Sequence, residues 1–370
     1  MINVIHLLGS LNRGGAEILA LDIFSNIKNT QINMTGIYRK TGILQTEFNN
    51  TGINLYKLSP KSIFDIIYLI QLRQLIKQKD IHIVHAHQVI DALIGLIATI
   101  GLNVKVIITF HGYLLGKTYL QKTIRKFVIE RTNANIFVSK SLKDYYVTKY
   151  FNLNTTKQKI LYNGVSFNKI DAVSKSNIRD EFNISENAFL MAMIGSFTSV
   201  RDQFTVCKFL LLLKKQDINF RFLFVGAKSE EEHWLYDKCY DFCKINCLEE
   251  NVKFLGVRSD IPEILNTLDL FIYSTARDTF GIAVVEAMAA GIPVFINDWE
   301  VFKEITENGK YVTLYKTKDE NDLLAKFKDY LSNPEPYKQK AFLSTEYVKQ
   351  NFSIEKHIQK LEYIYNELIN

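Results

Sequence analysis

Short apolar runs of four to seven residues alternate along the chain with stretches whose apolar positions recur every third or fourth residue. Runs at 4–8, 81–85, 104–110 and 134–138 are continuously apolar or nearly so, the pattern of strands covered on both faces. A second series occupies 189–194, 220–225, 252–255, 270–273 and 293–296, each followed by polar or helical sequence. The pattern predicts an α/β protein with two doubly wound parallel sheets. Residues 163–187 are polar and aperiodic, so they are read as the hinge. The domains expected are 1–164, 165–350 and a final helix over 351–370, with Ser353 as its cap and Ile354, Ile358, Leu361, Tyr365 and Leu368 at helical spacing.

A length of 370 residues allows two or three domains, and 47% hydrophobic with 23% charged residues describes an ordinary folded chain. Cys207, Cys239, Cys243 and Cys247 are too few and too clustered for a secreted disulfide framework. Cys239, Cys243 and Cys247 are expected on one helix face as small hydrophobes in a reducing cytosol, rather than as a metal site. Residues 1–8 read as a buried strand and not a cleaved leader, and the longest apolar stretches are too short or interrupted to span a bilayer. The net charge of +6 is unevenly spread: residues 1–170 carry 21 Lys/Arg against 8 Asp/Glu, and the remainder 24 against 31. The first part is therefore suited to an anionic partner such as a membrane surface, although a merely solvated basic face has the same composition.

Two segments carry candidate chemistry. The first strand runs into Gly9-Ser10-Leu11-Asn12-Arg13-Gly14-Gly15-Ala16-Glu17, a turn entering a helix, where amide hydrogens meet anions. It is neither a P-loop nor a dinucleotide fingerprint: Gly15 and Ala16 stand where the first needs Lys and Ser/Thr, and Leu11 where the second needs glycine. After the strand at 270–273, Asp278 lies in a loop, Thr279, Phe280, Gly281 and Ile282 offer backbone amides at a helix start, and Glu286 follows one turn in. Two carboxylates flanking an anion site suit a nucleotide sugar, the acids accepting from hydroxyls and the helix terminus facing the diphosphate. A solvated Asp and a helix-start Glu have the same spacing.

Asp278-x7-Glu286 followed by Ala-Met-Ala-Ala-Gly-Ile-Pro-Val resembles the E-x7-E region of family 4 of the retaining glycosyltransferases, which have the GT-B fold. Further matching segments are the glycine turn, Ile83-Val84-His85-Ala86-His87, Thr109-Phe110-His111-Gly112, Tyr162-Asn163-Gly164-Val165 and Phe254-Leu255-Gly256-Val257-Arg258-Ser259-Asp260-Ile261-Pro262, in the family's order over nearly the whole chain.

The resemblance implies two Rossmann-like domains facing across a cleft, the second binding donor and the first acceptor, closing through the hinge, with the final helix crossing back to the first domain. It places Gly14 and Gly15 near the donor and His111 beside the transferring sugar. Asp278 is placed on sugar hydroxyls, Glu286 on the ribose, and Val257 with Arg258 near the base. The family's Arg and Lys for the diphosphate fall on Ser196 and Arg201, so one charged fork is replaced by a hydroxyl, and Asp278 replaces the usual Glu. The expected activity is retaining transfer of a hexose from a nucleotide-diphosphate sugar, UDP favoured over GDP. The acceptor is a saccharide or lipid-linked molecule of bacterial surface polysaccharide or glycolipid synthesis.

No cofactor and no metal are expected, since no Asp-x-Asp motif follows a strand, and His85 with His87 lacks a third ligand. No nucleic-acid partner is expected. A basic amphipathic segment, Lys117, Lys122, Arg125, Lys126 and Arg131 interleaved with Tyr119, Leu120, Ile124, Phe127 and Val128, suggests a cytoplasmic protein resting on the inner membrane face. A second candidate is Arg73, Lys77 and Lys79. An ordinary helix with its apolar stripe in the core fits the same pattern. The alternatives are a nucleotide-sugar 2-epimerase of similar fold and a degenerate nucleotide-sugar-binding module.

Overall fold

A computed structural model describes residues 1–60, 65–113, 118–150, 153–171 and 178–370. The chain divides into two compact units, residues 1–165 with 352–370, and residues 166–351.

The first unit holds strands β1 (Ile2–Ser10), β2 (Ile32–Lys40), β3 (Asn54–Lys57), β4 (Ile83–Ala86), β5 (Lys105–Phe110), β6 (Ala134–Phe137) and β7 (Gln158–Ile160). They form a seven-stranded sheet in the order β3-β2-β1-β4-β5-β6-β7, parallel throughout. Val4, Ile5, Ile83, Val84, Ile107 and Ile108 are fully buried, as strands sandwiched between helix layers must be. The helix Ile354–Ile369, with Ser353 accepting from the Lys356 amide, belongs to this unit. Its Ile354, Ile358, Leu361, Ile364 and Tyr365 join a core with Leu19, Phe24, Val4 and Ile107. Each such side chain contributes about 1.5–3 kcal/mol on burial.

The second unit holds β8 (Phe189–Ile194), β9 (Phe220–Val225), β10 (Val252–Gly256), β11 (Leu270–Tyr273), β12 (Val294–Asn297) and β13 (Thr313–Tyr315), parallel in the order β10-β9-β8-β11-β12-β13. Its core is unusually aromatic: Phe197, Phe222, Phe224 and Phe254 pack with ring centroids 4.7–5.9 Å apart. Such rings combine large buried area with edge and offset contacts.

The division between the two units falls between Val165 and Ser166, within the stretch 163–187 expected as the hinge. Among its described residues Val165, Phe167, Ile170, Ile178 and Ile184 are buried, and short helices span Asn168–Asp171 and Ile178–Glu181. Their apolar side chains are spaced too irregularly to show as a period. One expectation needs correction. Cys247 does not share the face of Cys239 and Cys243, because the helix His233–Ile245 stops before it; it is exposed, at φ 54. Cys243 Sγ instead lies 3.9 Å from Cys207 Sγ in the core. The apolar stripe of the Tyr119–Arg131 helix is only partly internal: Val128 and Ile129 are buried, whereas Tyr119 (86%), Leu120 (65%) and Phe127 (43%) are exposed.

Candidate active site

In an open parallel sheet, the loops leaving two neighbouring strands part to opposite faces where the strand order reverses, and a crevice opens at the strands' carboxyl ends. In the second unit the reversal falls between β8 and β11. The loop after β8 holds Ser196 and Arg201, and the loop after β11 holds Asp278 to Gly281 and leads into Ile282, so the positions expected for the diphosphate and the Asp278 stretch converge there. Arg201 and Thr275 form an antiparallel bridge, and the Asp202 amide donates to the Ser274 carbonyl (3.1 Å).

Arg201 Nη1 pairs with Asp278 Oδ2 at 3.0 Å, and its guanidinium lies 5.1 Å from the Tyr273 ring centre. The neighbouring carboxylate raises the Arg201 pKa despite the opposing effect of burial. Asp278 is itself buried: Oδ2 also accepts from the Tyr273 hydroxyl (2.9 Å), and Oδ1 from the amides of Thr279 (2.7 Å) and Phe280 (3.3 Å). Here the carboxylate organises the loop and fixes Arg201, which leaves it little acceptor capacity for another ligand. Arg201 Nε is buried and makes no hydrogen bond among the described residues. Ser196 is exposed.

Gly281, at φ 85, precedes the helix Ile282–Ala289; a Cβ there would lie 2.7 Å from the Phe302 ring, so both conformation and space require glycine. Ile282 begins the helix, Phe280 is buried and Glu286 is half-buried one turn further. Val257 is 55% exposed just beyond β10. Arg258 is held by Glu181 (2.8 and 3.0 Å) and Asp260 (2.9 and 2.7 Å), which raise its pKa. These pairs fix the turn and occupy the cation.

In the first unit the order reverses between β1 and β4. The glycine turn leaves β1, and the helix Gly15–Asn26 follows with Gly14 as its extended cap. Leu11, where the dinucleotide pattern needs glycine, is a fully buried plug. Its amide donates to Lys40 O (3.1 Å), and Leu44 donates to its carbonyl (3.0 Å). Gly42 passes so close that a Cβ would lie 2.2 Å from the Leu11 carbonyl carbon, so the turn is clamped by a second glycine that motif reading missed. Glu17 occupies the first helical turn, and burial raises its pKa. Arg39, at the end of β2, pairs with buried Asp91 (3.1 Å); desolvation pushes that carboxyl up to about 6 despite the cation.

His85 lies within β4, His87 just beyond it and His111 just beyond β5, but they are not alone. His6 of β1 and Tyr365 of the final helix join them, neither singled out by any motif for chemistry. His6 Nδ1 lies 3.0 Å from His87 Nε2, His87 Nδ1 2.9 Å from His111 Nε2, and the Tyr365 hydroxyl 3.0 and 2.7 Å from His6 Nε2 and His85 Nδ1. His6, His85 and His87 thus supply the third ring nitrogen that the sequence lacked for a metal, within 4.8 Å of one another. Burial, with neighbouring histidines adding to it, lowers all their pKa values, His6 to about 3 and His111 to about 4. The rings are neutral at pH 7.

Of the basic stripe, Lys122 and Lys126 are exposed on the Tyr119–Arg131 helix, and Lys117 lies outside the described residues. Arg73 is spent on the carbonyls of Ala98 and Ile100 (2.8 Å each), while Lys77 and Lys79 are exposed. Among the described residues no helix is long and apolar enough to cross a membrane.

Residues 174–342 match the family model described as Glycosyl transferases group 1, and residues 13–169 match Glycosyltransferase Family 4. N-acetyl-alpha-D-glucosaminyl L-malate synthase of Bacillus anthracis is 23% identical over 336 residues, covering 87% of this chain and 84% of that protein. UDP-Gal:alpha-D-GlcNAc-diphosphoundecaprenol alpha-1,3-galactosyltransferase of Escherichia coli is 22% identical over 298 residues, covering 77% and 76%. The fold superposes on HepE of Anabaena, solved with UDP and glucose, with a TM-score of 0.86 at 18% identity, covering 99% of this chain and 100% of that one. With two family models matching in succession on two doubly wound sheets, the chain belongs to the family 4 glycosyltransferases and has their GT-B fold.

Proposed function

We propose that this glycosyltransferase moves a hexose from a UDP-sugar, with retention of anomeric configuration, to a saccharide or lipid-linked acceptor in bacterial surface polysaccharide or glycolipid synthesis. The observation that carries the reading is the corner between β8 and β11, where a guanidinium held by Asp278 adjoins the start of the Ile282–Ala289 helix with Glu286 one turn in. Arg201 with an unspent Nε–H and the helix-terminal amides are the groups a departing diphosphate demands. Glu286 is assigned to the ribose and the exposed turn at Val257 to the base. The UDP found in HepE and the UDP-Gal donor and diphosphoundecaprenol-linked acceptor in the name of the E. coli relative support the donor and acceptor classes.

In the reaction the bond between the anomeric carbon and the β-phosphate oxygen breaks, and the acceptor oxygen bonds that carbon on the same face. The acceptor proton passes to the departing phosphate oxygen, giving UDP and a glycoside. The protein lowers the barrier by meeting the negative charge that grows on the diphosphate and by holding the sugar. Thermal-shift measurements across nucleotide-diphosphate sugars test the donor: UDP-sugars raise the wild-type midpoint more than that of Glu286→Ala. Anomeric proton couplings of the product test retention, and an inverted product overturns it. Conversion of donor without acceptor would point to the epimerase reading.

The exposed Tyr119, Leu120 and Phe127 beside Lys122 and Lys126 support a peripheral seat on anionic lipid at the cytoplasmic membrane face, each basic residue adding about 1 kcal/mol near the surface. Flotation with vesicles containing anionic lipid, and not with neutral ones, is the expected result.

A further inference from the structure

The hydrogen bonds around Tyr365 and the histidines run from one residue to the next as a line. Thr109 Oγ1 meets His85 Nε2 at 2.7 Å, His85 Nδ1 meets the Tyr365 hydroxyl, and that hydroxyl meets His6 Nε2. His6 Nδ1 then meets His87 Nε2, and His87 Nδ1 meets His111 Nε2. All but His111 are buried. A neutral imidazole has one N–H and one bare nitrogen, so each ring in such a line donates at one end and accepts at the other. The Tyr365 oxygen could accept from both rings, but its own buried proton would then have no acceptor, so with every donor paired the direction of one bond fixes the direction of all.

Counting donors selects the direction. If His85 donated to Thr109, the buried threonine hydroxyl would keep a proton with no acceptor, since it makes no other hydrogen bond among the described residues. A buried unsatisfied donor is costly. With Thr109 donating instead, every donor along the line has an acceptor: Thr109 to His85, His85 to Tyr365, Tyr365 to His6, His6 to His87, and His87 to His111 Nε2. We infer that this line holds His111 as its Nδ1–H tautomer, so that Thr109, His85, Tyr365, His6 and His87 are positioning residues for the transfer reaction. The inference rests on the glycosyltransferase reading above together with the family resemblance, which places His111 beside the transferring sugar. It gives His111 a defined part there: at Nδ1 the ring donates a hydrogen bond to an oxygen and cannot take up a proton. The lowered pKa values agree, because protonating any ring would break the alternation of donor and acceptor. The line also accounts for both ring nitrogens of His6, His85 and His87, so a metal on these three would have to displace bonds already made.

The test is long-range proton–nitrogen NMR on full-length protein labelled with ¹⁵N-histidine, whose seven histidines are assigned by single His→Gln variants. The expected wild-type spectrum has His111 protonated on Nδ1 and bare on Nε2. Thr109→Val, at a hydroxyl bonded to His85 and not to His111, should convert it to a mixture of tautomers, and Thr109→Ser should restore the single form. With a donor identified, Thr109→Val and Tyr365→Phe should lower kcat about tenfold, one lost hydrogen bond's worth, with donor KM little changed. His111 protonated on Nε2, a tautomer indifferent to Thr109→Val, or a stoichiometric metal in the purified protein would overturn the inference. The spectrum needs no substrate, so a failure to turn over any sugar donor would count against the proposed function and not against the line.

Discussion

At the scale of single residues the balance of the donor corner turns on Arg201. Removing it takes charge from the diphosphate and leaves buried Asp278 facing only neutral donors. Arg201→Ala is expected to lower kcat by about 100- to 1,000-fold. Arg201→Lys keeps the charge but loses the guanidinium's contact with the Tyr273 ring and should cost about tenfold; rates of UDP release check both. Ser196 is exposed where the family has arginine, so Ser196→Arg should tighten donor binding about tenfold, read as donor KM. The histidines whose pKa values are lowered in the fold predict acid sensitivity. The unfolded chain binds protons below about pH 6.5, while folded His6, His111 and His357 resist until about 3 to 4. Their contribution is complete above pH 6.5 and declines as pH falls toward 4, by up to about 1.4 kcal/mol per pH unit for each histidine. Urea midpoints measured at pH 7.5, 6 and 5 should fall with increasing steepness.

Among elements, the strands that sequence reading recovered are mostly buried on both faces, such as β11, continuously apolar, and β5, apolar from Val106 to Phe110 but for Thr109. β2, β3, β7 and β13 escaped it. β2 mixes Asn33, Thr35 and Arg39 with apolar residues, and β7 and β13 have three residues each, too few to establish a period. The loops after β8 and β11 were legible because a glycine and an acid interrupt the apolar pattern in each, Gly195 and Asp202 in the first and Asp278 and Gly281 in the second. What neither spacing nor motif conveyed was partnership across the sheet: His6 beside His87, Gly42 beneath Leu11, and Asp278 bound to Arg201. Such pairings depend on strand order, which a local window does not contain. The donor-side helix supplies the prediction at this scale. Gly281→Ala must accommodate φ 85 and the Phe302 ring, so a loss of about 1–3 kcal/mol is expected, read as a midpoint lowered by about 2–4 °C per kcal/mol.

For the molecule as a whole, the excess of basic residues in the first 170 positions and of acidic ones thereafter assigns opposite charge largely to different units. The proposed membrane association should therefore weaken with salt, because screening shortens the reach of exposed charge. Flotation in low and high salt checks this. The first unit is also discontinuous: its sheet comes from residues 2–160, and one covering helix from 354–369. His6 and Tyr365, hydrogen-bonded at 3.0 Å, are 359 residues apart. During translation the β1 strand thus leaves the ribosome long before the helix that seals it exists, whereas residues 166–351 emerge as an uninterrupted stretch. The later-made unit can finish folding first, and the earlier one must wait, its apolar flank open to chaperones, until the last turns of helix arrive.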